Sequence, residues 1–219
     1  MKKHLLKLLI LLSTAYAMFR MFHWAIGFTM FTQLSNLYTA AAVIYQLVKP
    51  GRRSCLLKYT AAVSISITFL VYLLIIAPMT PGGILAAYRQ DHWASLCLHV
   101  ITPVLTVLDF MLNDSRNGYL RKSDVFFSVV PPVAYFIFMI MLSRLGVRWY
   151  AGMAAPYPFL NYEAPAGWFG FMPDTAGRTS LGIGVFYVMF VMLGLTLLIG
   201  WALLMLAAHF RRSKLSVRP

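Results

Sequence analysis

A hydroxyl and an imidazole placed together are the minimum parts of a nucleophilic hydrolase. The ring nitrogen takes the hydroxyl proton, and the oxygen attacks an acyl carbon. Two short polar clusters in this sequence carry those parts. The first is Phe31-Thr32-Gln33-Leu34-Ser35-Asn36. On a helix, positions i, i+3 and i+4 share a face, so Thr32, Ser35 and Asn36 form one stripe. The second runs from His92 through Ser95 and His99 to Thr102-Pro103. Ser95 lies one turn above His99, and Thr102 lies three residues below it. Pro103 has no N–H, so the His99 carbonyl loses its helical donor and a kink beside the imidazole is expected. Thr32 and His99 are the candidate pair, with Ser35, Ser95 and Thr102 competing for the nucleophile role. Ser35 and Asn36 are candidate donors to an oxyanion. Ser, Thr and Asn in apolar helices also serve as interhelical glue, and a membrane histidine is often a packing residue. Both readings stay open at this point. A Gly-x-Ser-x-Gly elbow is absent: in Gly177-Arg-Thr-Ser180-Leu-Gly182 the first glycine comes one place too early.

Both clusters sit inside long apolar runs, and those runs decide the class. Hydrophobic residues make up 60% of the 219 and charged residues 11%, against about 45–50% and 25% in ordinary soluble domains. Disorder and a soluble globular domain are excluded. The runs are long enough for membrane helices rather than barrel strands. An all-α polytopic bundle of six spans is expected, at about residues 5–19, 31–48, 59–78, 94–112, 125–143 and 182–208. The first is short and carries Lys7, which is expected to snorkel to the headgroups; the last is long and is expected to tilt.

Nineteen Lys and Arg face six Asp and Glu, a formal charge of +13. Fourteen of the basic residues fall on the side of both termini. Five, Arg20, Arg89, Arg144, Arg148 and Arg178, fall on the other. Both termini are therefore expected in the cytoplasm, and the protein in the inner membrane. The second and fourth helices then both run inward from the outer face. Thr32 lies at the start of one and His99 about 9 Å into the other, so they share the outer half of the bilayer. Residues 1–17 also fit a signal peptide with Ala15-Tyr16-Ala17 as its cleavage site. The apolar character continues through Met18 and Phe19, which favours a retained helix.

One membrane domain over 1–219 is expected, with no internal repeat. Its longest connection, 144–181, is rich in Trp, Tyr and Phe. It reads as an interfacial aromatic belt or as a lid over a lipid pocket, with Asn161 and Glu163 as substrate-binding candidates. Asp109 lies about 15 Å deeper than His99, too far to orient it, and pairing with Arg116, Arg121 or Lys122 is expected. Cys55 and Cys97 are placed on opposite sides of the bilayer, so no disulfide is expected. No metal and no cofactor are expected: His23, His92 and His99 have no diagnostic spacing, and His92 and His99, seven apart on one helix, cannot both ligate one haem. Nothing resembles a nucleic-acid recognition module.

In order along the chain stand Phe-Thr-x-x-Ser-Asn in the second helix, Leu98-His99-x-x-Thr-Pro103 in the fourth, Leu108-Asp109-Phe110, and Tyr157-Pro158-Phe159-Leu160-Asn161. Together they resemble a bacterial family of predicted six-transmembrane-helix membrane proteins, itself similar to the eukaryotic androgen-induced membrane threonine hydrolases. The likeness spans nearly the whole chain through short motifs. It implies cleavage of fatty acid esters of hydroxy fatty acids, with Thr32 as nucleophile and His99 as base. Two positions depart from the bacterial pattern: Asn161 stands where an acidic residue is usual, and Phe110 where Trp is frequent. A rival expectation is a membrane protein that binds or moves a lipid or small solute without chemistry.

Overall fold

A computed structural model describes residues 2–21, 25–79, 92–114, 118–172 and 180–215. Among them the chain is helical, with a lone bridge between Phe171 and Ile183. Helix α1 is Lys2–Met21 and α2 is Phe31–Val48. Helix α3 begins as Arg52–Val71 and continues through a π turn, Tyr72–Ile76, into Ala77–Met79. Helix α4 joins His92–Leu96, a π turn Cys97–Ile101, Thr102–Asp109 and a second π turn Phe110–Asp114. Helix α5 starts as a 3-10 stretch, Lys122–Val129, and becomes α-helical over Val130–Arg144. Helix α6 is Val185–Leu215.

Five of these are long and apolar enough to cross a membrane: His4–Met21, Arg52–Ile76, Trp93–Asp114, Lys122–Arg144 and Val185–Arg211. Helix α2 has 18 residues but is diluted by Gln33, Ser35, Asn36, Thr39 and Gln46, every one of them buried. Its apolar side chains Leu37, Ile44 and Val48 point outward. Lys58 is wholly buried, whereas Phe190 and Leu74 are largely exposed. Water would favour the reverse arrangement, so the surrounding solvent is lipid and the polar groups turn to one another.

The chain is arranged as two compact units, Met1–Ser128 with Thr196–Pro219, and Val129–Leu195. In the first, small and hydroxylated residues let helices approach. Tyr38 and Thr60 share a hydrogen bond of 2.6 Å between α2 and α3, and Ser35 and Thr68 share one of 2.7 Å. An apolar core joins Tyr59, Val63 and Ile67 of α3, Phe110 of α4 and Leu203 and Leu204 of α6. Gly200 makes the α6 approach possible, because a Cβ there would stand 2.6 Å from the Tyr59 hydroxyl.

Deeper in this unit lies a buried ion network. Lys7 Nζ donates to Asp109 Oδ2 and to Gln46 Oε1, both at 2.7 Å. Lys58 Nζ stands 2.9 Å from the same Asp109 oxygen. Gln46 Nε2 in turn donates to Asp114 Oδ1 at 2.7 Å, and Asn113 Nδ2 to Asp109 Oδ1 at 2.7 Å. Two expectations are corrected here. Lys7 does not snorkel; it turns inward, because two carboxylates offset its charge. Asp109 pairs with Lys7 and Lys58 rather than with Arg121 or Lys122; Arg116 lies outside the described residues. Helix α1 is thereby tied to α2 by a hydrogen bond and to α4 by ion pairs, and α3 joins through Asp109, rather than by apolar packing alone.

The second unit is the longest connection with its flanking helices. Ser143 Oγ accepts from Arg148 Nη1 at 2.9 Å and from the Tyr162 hydroxyl at 2.7 Å. Tyr162 stacks on Trp168, whose ring meets Phe136 edge-on. Trp149, Met153, Tyr157, Phe159 and Leu160 are buried, so the connection has its own small core. Residues 173–179, including Gly177 and Thr179, lie outside the described residues.

Candidate functional site

Where the sequence implies a kink before Pro103, the helix carries a π turn over Cys97–Ile101. The residues around His99 form a π turn, and the Thr102 N–H donates to the Cys97 carbonyl, five residues back. Pro103 cannot donate to the His99 carbonyl, and a wider turn absorbs the missing bond. Such π turns are frequent at functional sites.

His99 is half-buried in this turn. Its Nδ1 stands 2.9 Å from the Ser95 carbonyl oxygen and 3.2 Å from Ser95 Oγ. A carbonyl only accepts, so Nδ1 carries the proton and Nε2 is the basic nitrogen. The Ser95 hydroxyl is then free to donate to the Tyr72 hydroxyl, 3.1 Å away. Tyr72 also lies flat on the imidazole, with ring centroids 3.5 Å apart and planes at 15°. Tyr72 opens the π turn of α3, so two widened turns on different helices meet through this stack.

Helix α2 supplies the other half. Asn36 is fully buried. Its Nδ2 donates to the Thr32 carbonyl at 2.8 Å and to the Leu98 carbonyl at 3.1 Å. Leu98 precedes His99, so one amide ties the Thr32 turn to the His99 turn. Thr32 is buried. Ser35 Oγ has one hydrogen to give, and it faces the Thr32 carbonyl at 3.0 Å and Thr68 Oγ1 at 2.7 Å. Two acceptors, Gln33 Oε1 and Asn36 Oδ1, are buried without a hydrogen bond among the described residues.

Comparison with family models, curated proteins and solved structures gives no match. The site therefore rests on its own geometry.

Of the residues singled out in the sequence, Thr32, Ser35 and Asn36 lie together on α2 and Ser95 and His99 on α4, and the Asn36 amide joins the two turns through the Leu98 carbonyl. Thr102 turns the other way, toward α1, where its hydroxyl meets Ser13 Oγ at 2.8 Å. Asn161 and Glu163 belong to the second unit. Asn161 Oδ1 accepts from the Ala154 N–H at 3.3 Å, and Glu163 pairs with Arg148 at 3.3 Å. His92 has its backbone in α4, its side chain outside the description; His23 lies outside the described residues altogether. Among the described residues no group of His, Cys, Asp or Glu is assembled to hold a metal. Cys55 and Cys97 are separate buried thiols.

Sequence reasoning missed Tyr72. An aromatic residue in the run Phe69-Leu70-Val71-Tyr72-Leu73 is indistinguishable from a lipid-facing one until the facing helix is known. It also missed Gln33 and Gln46, whose signal was available: a glutamine inside a bilayer needs a partner.

Proposed function

We propose that this protein is an intramembrane threonine hydrolase that cleaves a fatty acid ester, embedded through six spans in the inner membrane with both termini cytoplasmic. The observation that carries the reading is the Asn36 amide, which joins the backbone of Thr32 to that of Leu98. It holds the alcohol-bearing turn beside the imidazole-bearing one, while the Ser95 carbonyl leaves Nε2 as the base. The motif order shared with the androgen-induced hydrolases supports the same assignment.

A lipid ester enters sideways from the outer leaflet. His99 Nε2 takes the proton of Thr32 Oγ1 as that oxygen bonds to the ester carbonyl carbon. The tetrahedral intermediate collapses, the bond to the alkoxy oxygen breaks, and His99 returns the proton to the leaving alcohol. Water then attacks the acyl-threonine, again giving its proton to His99. The carbon–Oγ1 bond breaks, and Thr32 regains a hydrogen. Ser35 and Asn36 are the nearby donors for the oxyanion, each exchanging one of its present bonds. Ser95 is a positioning residue: its carbonyl holds the Nδ1 proton of the imidazole, and its hydroxyl pairs with that of Tyr72.

The experiment is turnover of a fatty acid ester of a hydroxy fatty acid by the detergent-purified protein. Thr32→Ala and His99→Gln are each expected to lower kcat by about 10²-fold or more. Wild-type turnover in both variants overturns the assignment.

A second reading is favoured by one observation. Among the described residues no hydrogen bond joins His99 to Thr32, whereas Gln33 Oε1 and Asn36 Oδ1 await donors. A membrane protein that binds or moves a hydroxylated lipid would use those acceptors without chemistry. It is distinguished by saturable binding of the ester with no product formed.

A further inference from the structure

At the end of the first unit where α4, α5 and α6 terminate or begin, a cavity of about 320 Å³ opens beside the ion network. Its size falls in the range of small-ligand sites. Three cations line it: Arg121, Lys122 and Arg211. None has a carboxylate partner among the described residues. Of the two nearby acids Asp124 is engaged through both oxygens, whereas Asp114 keeps a buried Oδ2 without a hydrogen-bond partner among the described residues. Asp124 receives Arg52 Nη2 at 3.0 Å and the Arg121 N–H at 2.8 Å. Asp114 lines the cavity but directs Oδ1 to Gln46 at 2.7 Å, with Lys7 at 3.8 Å.

The rim is built rather than incidental. Arg52 Nε also holds the Tyr119 carbonyl at 3.3 Å, which fixes the loop. Gly118 has φ +67°, and a Cβ there would stand 2.8 Å from Arg211 Nη1. The glycine thus serves two ends: it takes the left-handed turn and lets the guanidinium lie against the backbone. The floor is apolar, formed by Leu204, Ala207 and Ala208 on one face of α6.

We infer that this cavity binds the phosphate diester of an anionic glycerophospholipid, with one acyl chain laid on α6. The three unpaired cations recognise the phosphate, with Arg suited to two-point contact. The adjoining apolar face is what separates a lipid from free phosphate. Basic pockets between membrane helices are suited to headgroups of this kind. This site is distinct from the Thr32–His99 cluster and does not depend on the hydrolase reading.

The test is native mass spectrometry of the full chain in detergent with added phosphatidylglycerol, dioleoylglycerol or inorganic phosphate. Phosphatidylglycerol adducts are expected on the wild type, and neither dioleoylglycerol nor millimolar phosphate is expected to replace them. The double variant Arg121→Gln/Arg211→Gln is expected to bind about tenfold more weakly. Ala208→Trp, which fills the cavity and keeps every charge, is expected to lose the adduct as well. Arg53→Gln, an exposed cation outside the cavity, serves as control and is expected to bind as the wild type. Adducts at wild-type level in both cavity variants overturn the inference, as does equal binding of dioleoylglycerol. Displacement by inorganic phosphate alone overturns the lipid assignment.

Discussion

Tyr72 and His99 lie face to face, 3.5 Å between ring centroids, and each belongs to a π turn on its own helix. The stack fixes the plane of the imidazole, and the Ser95 carbonyl fixes its tautomer. Tyr72→Leu removes both the stack and the hydroxyl that Ser95 meets. Ring pairs of this kind are worth about 0.5–1.5 kcal/mol. A fall in kcat of about tenfold with little change in KM is the expected outcome, measured on the ester substrate. Tyr72→Phe keeps the stack and is expected to lose less.

Pro103 forces the wide turn by withholding a donor from the His99 carbonyl. Pro103→Ala restores an N–H there and lets the turn tighten to a regular helix, which turns the imidazole out of its stack on Tyr72. Thermal unfolding in detergent is expected at the same or a higher temperature, with ester turnover lowered. A variant that unfolds earlier and keeps full turnover contradicts this account of the turn.

Asn36 fills both of its N–H groups with backbone carbonyls from two helices. Asn36→Leu leaves the Leu98 carbonyl without that donor in a dry site, while Ser35 Oγ still faces the Thr32 carbonyl. A loss of about 1–2 kcal/mol of stability is expected. It is checked by unfolding the wild type and the variant in the same detergent.

The ion network gives a sharper contrast. Two lysines and two aspartates meet within α1, α3 and α4, with Asp109 between Lys7 and Lys58. Asp109→Asn leaves buried ammonium groups without their counterion and is expected to cost about 3–5 kcal/mol. In Asp109→Asn/Lys58→Met one cation leaves with the anion, and Lys7 keeps Asp114 nearby. That double variant is expected to recover part of the loss. Equal stability of the single and double variants would show that the charges do not act together.

These particulars show what a sequence of this kind makes legible. The apolar runs place the helices, because hydrocarbon demands long uninterrupted segments. Helices α2, α4 and α5 lie within a few residues of the stretches expected at 31–48, 94–112 and 125–143, although α2 is not among the five apolar enough to cross a membrane. The first was set too short, because Lys2, Lys3 and Arg20 read as its boundaries, whereas α1 runs over Lys2–Met21. Pro103 marks a break in regular helical bonding, because a missing N–H is a local property of the chain, but the form it takes, a π turn, is not. Partner choice is not local. Lys7 and Asp109 are 102 residues apart, and only the packing of α1 against α4 decides that they meet. Thr102 likewise shows why helical spacing is insufficient. It sits three residues from His99, yet its hydroxyl turns to Ser13 on α1.

The most direct measurement is peptide mapping after reaction of the purified protein with a fluorophosphonate, which modifies an activated hydroxyl. The expected adduct is on Thr32, absent from Thr32→Ala and strongly reduced in His99→Gln. An adduct on Ser95 or Ser35 that survives Thr32→Ala would contradict the assignment of the nucleophile. No adduct together with no ester turnover would contradict catalysis itself.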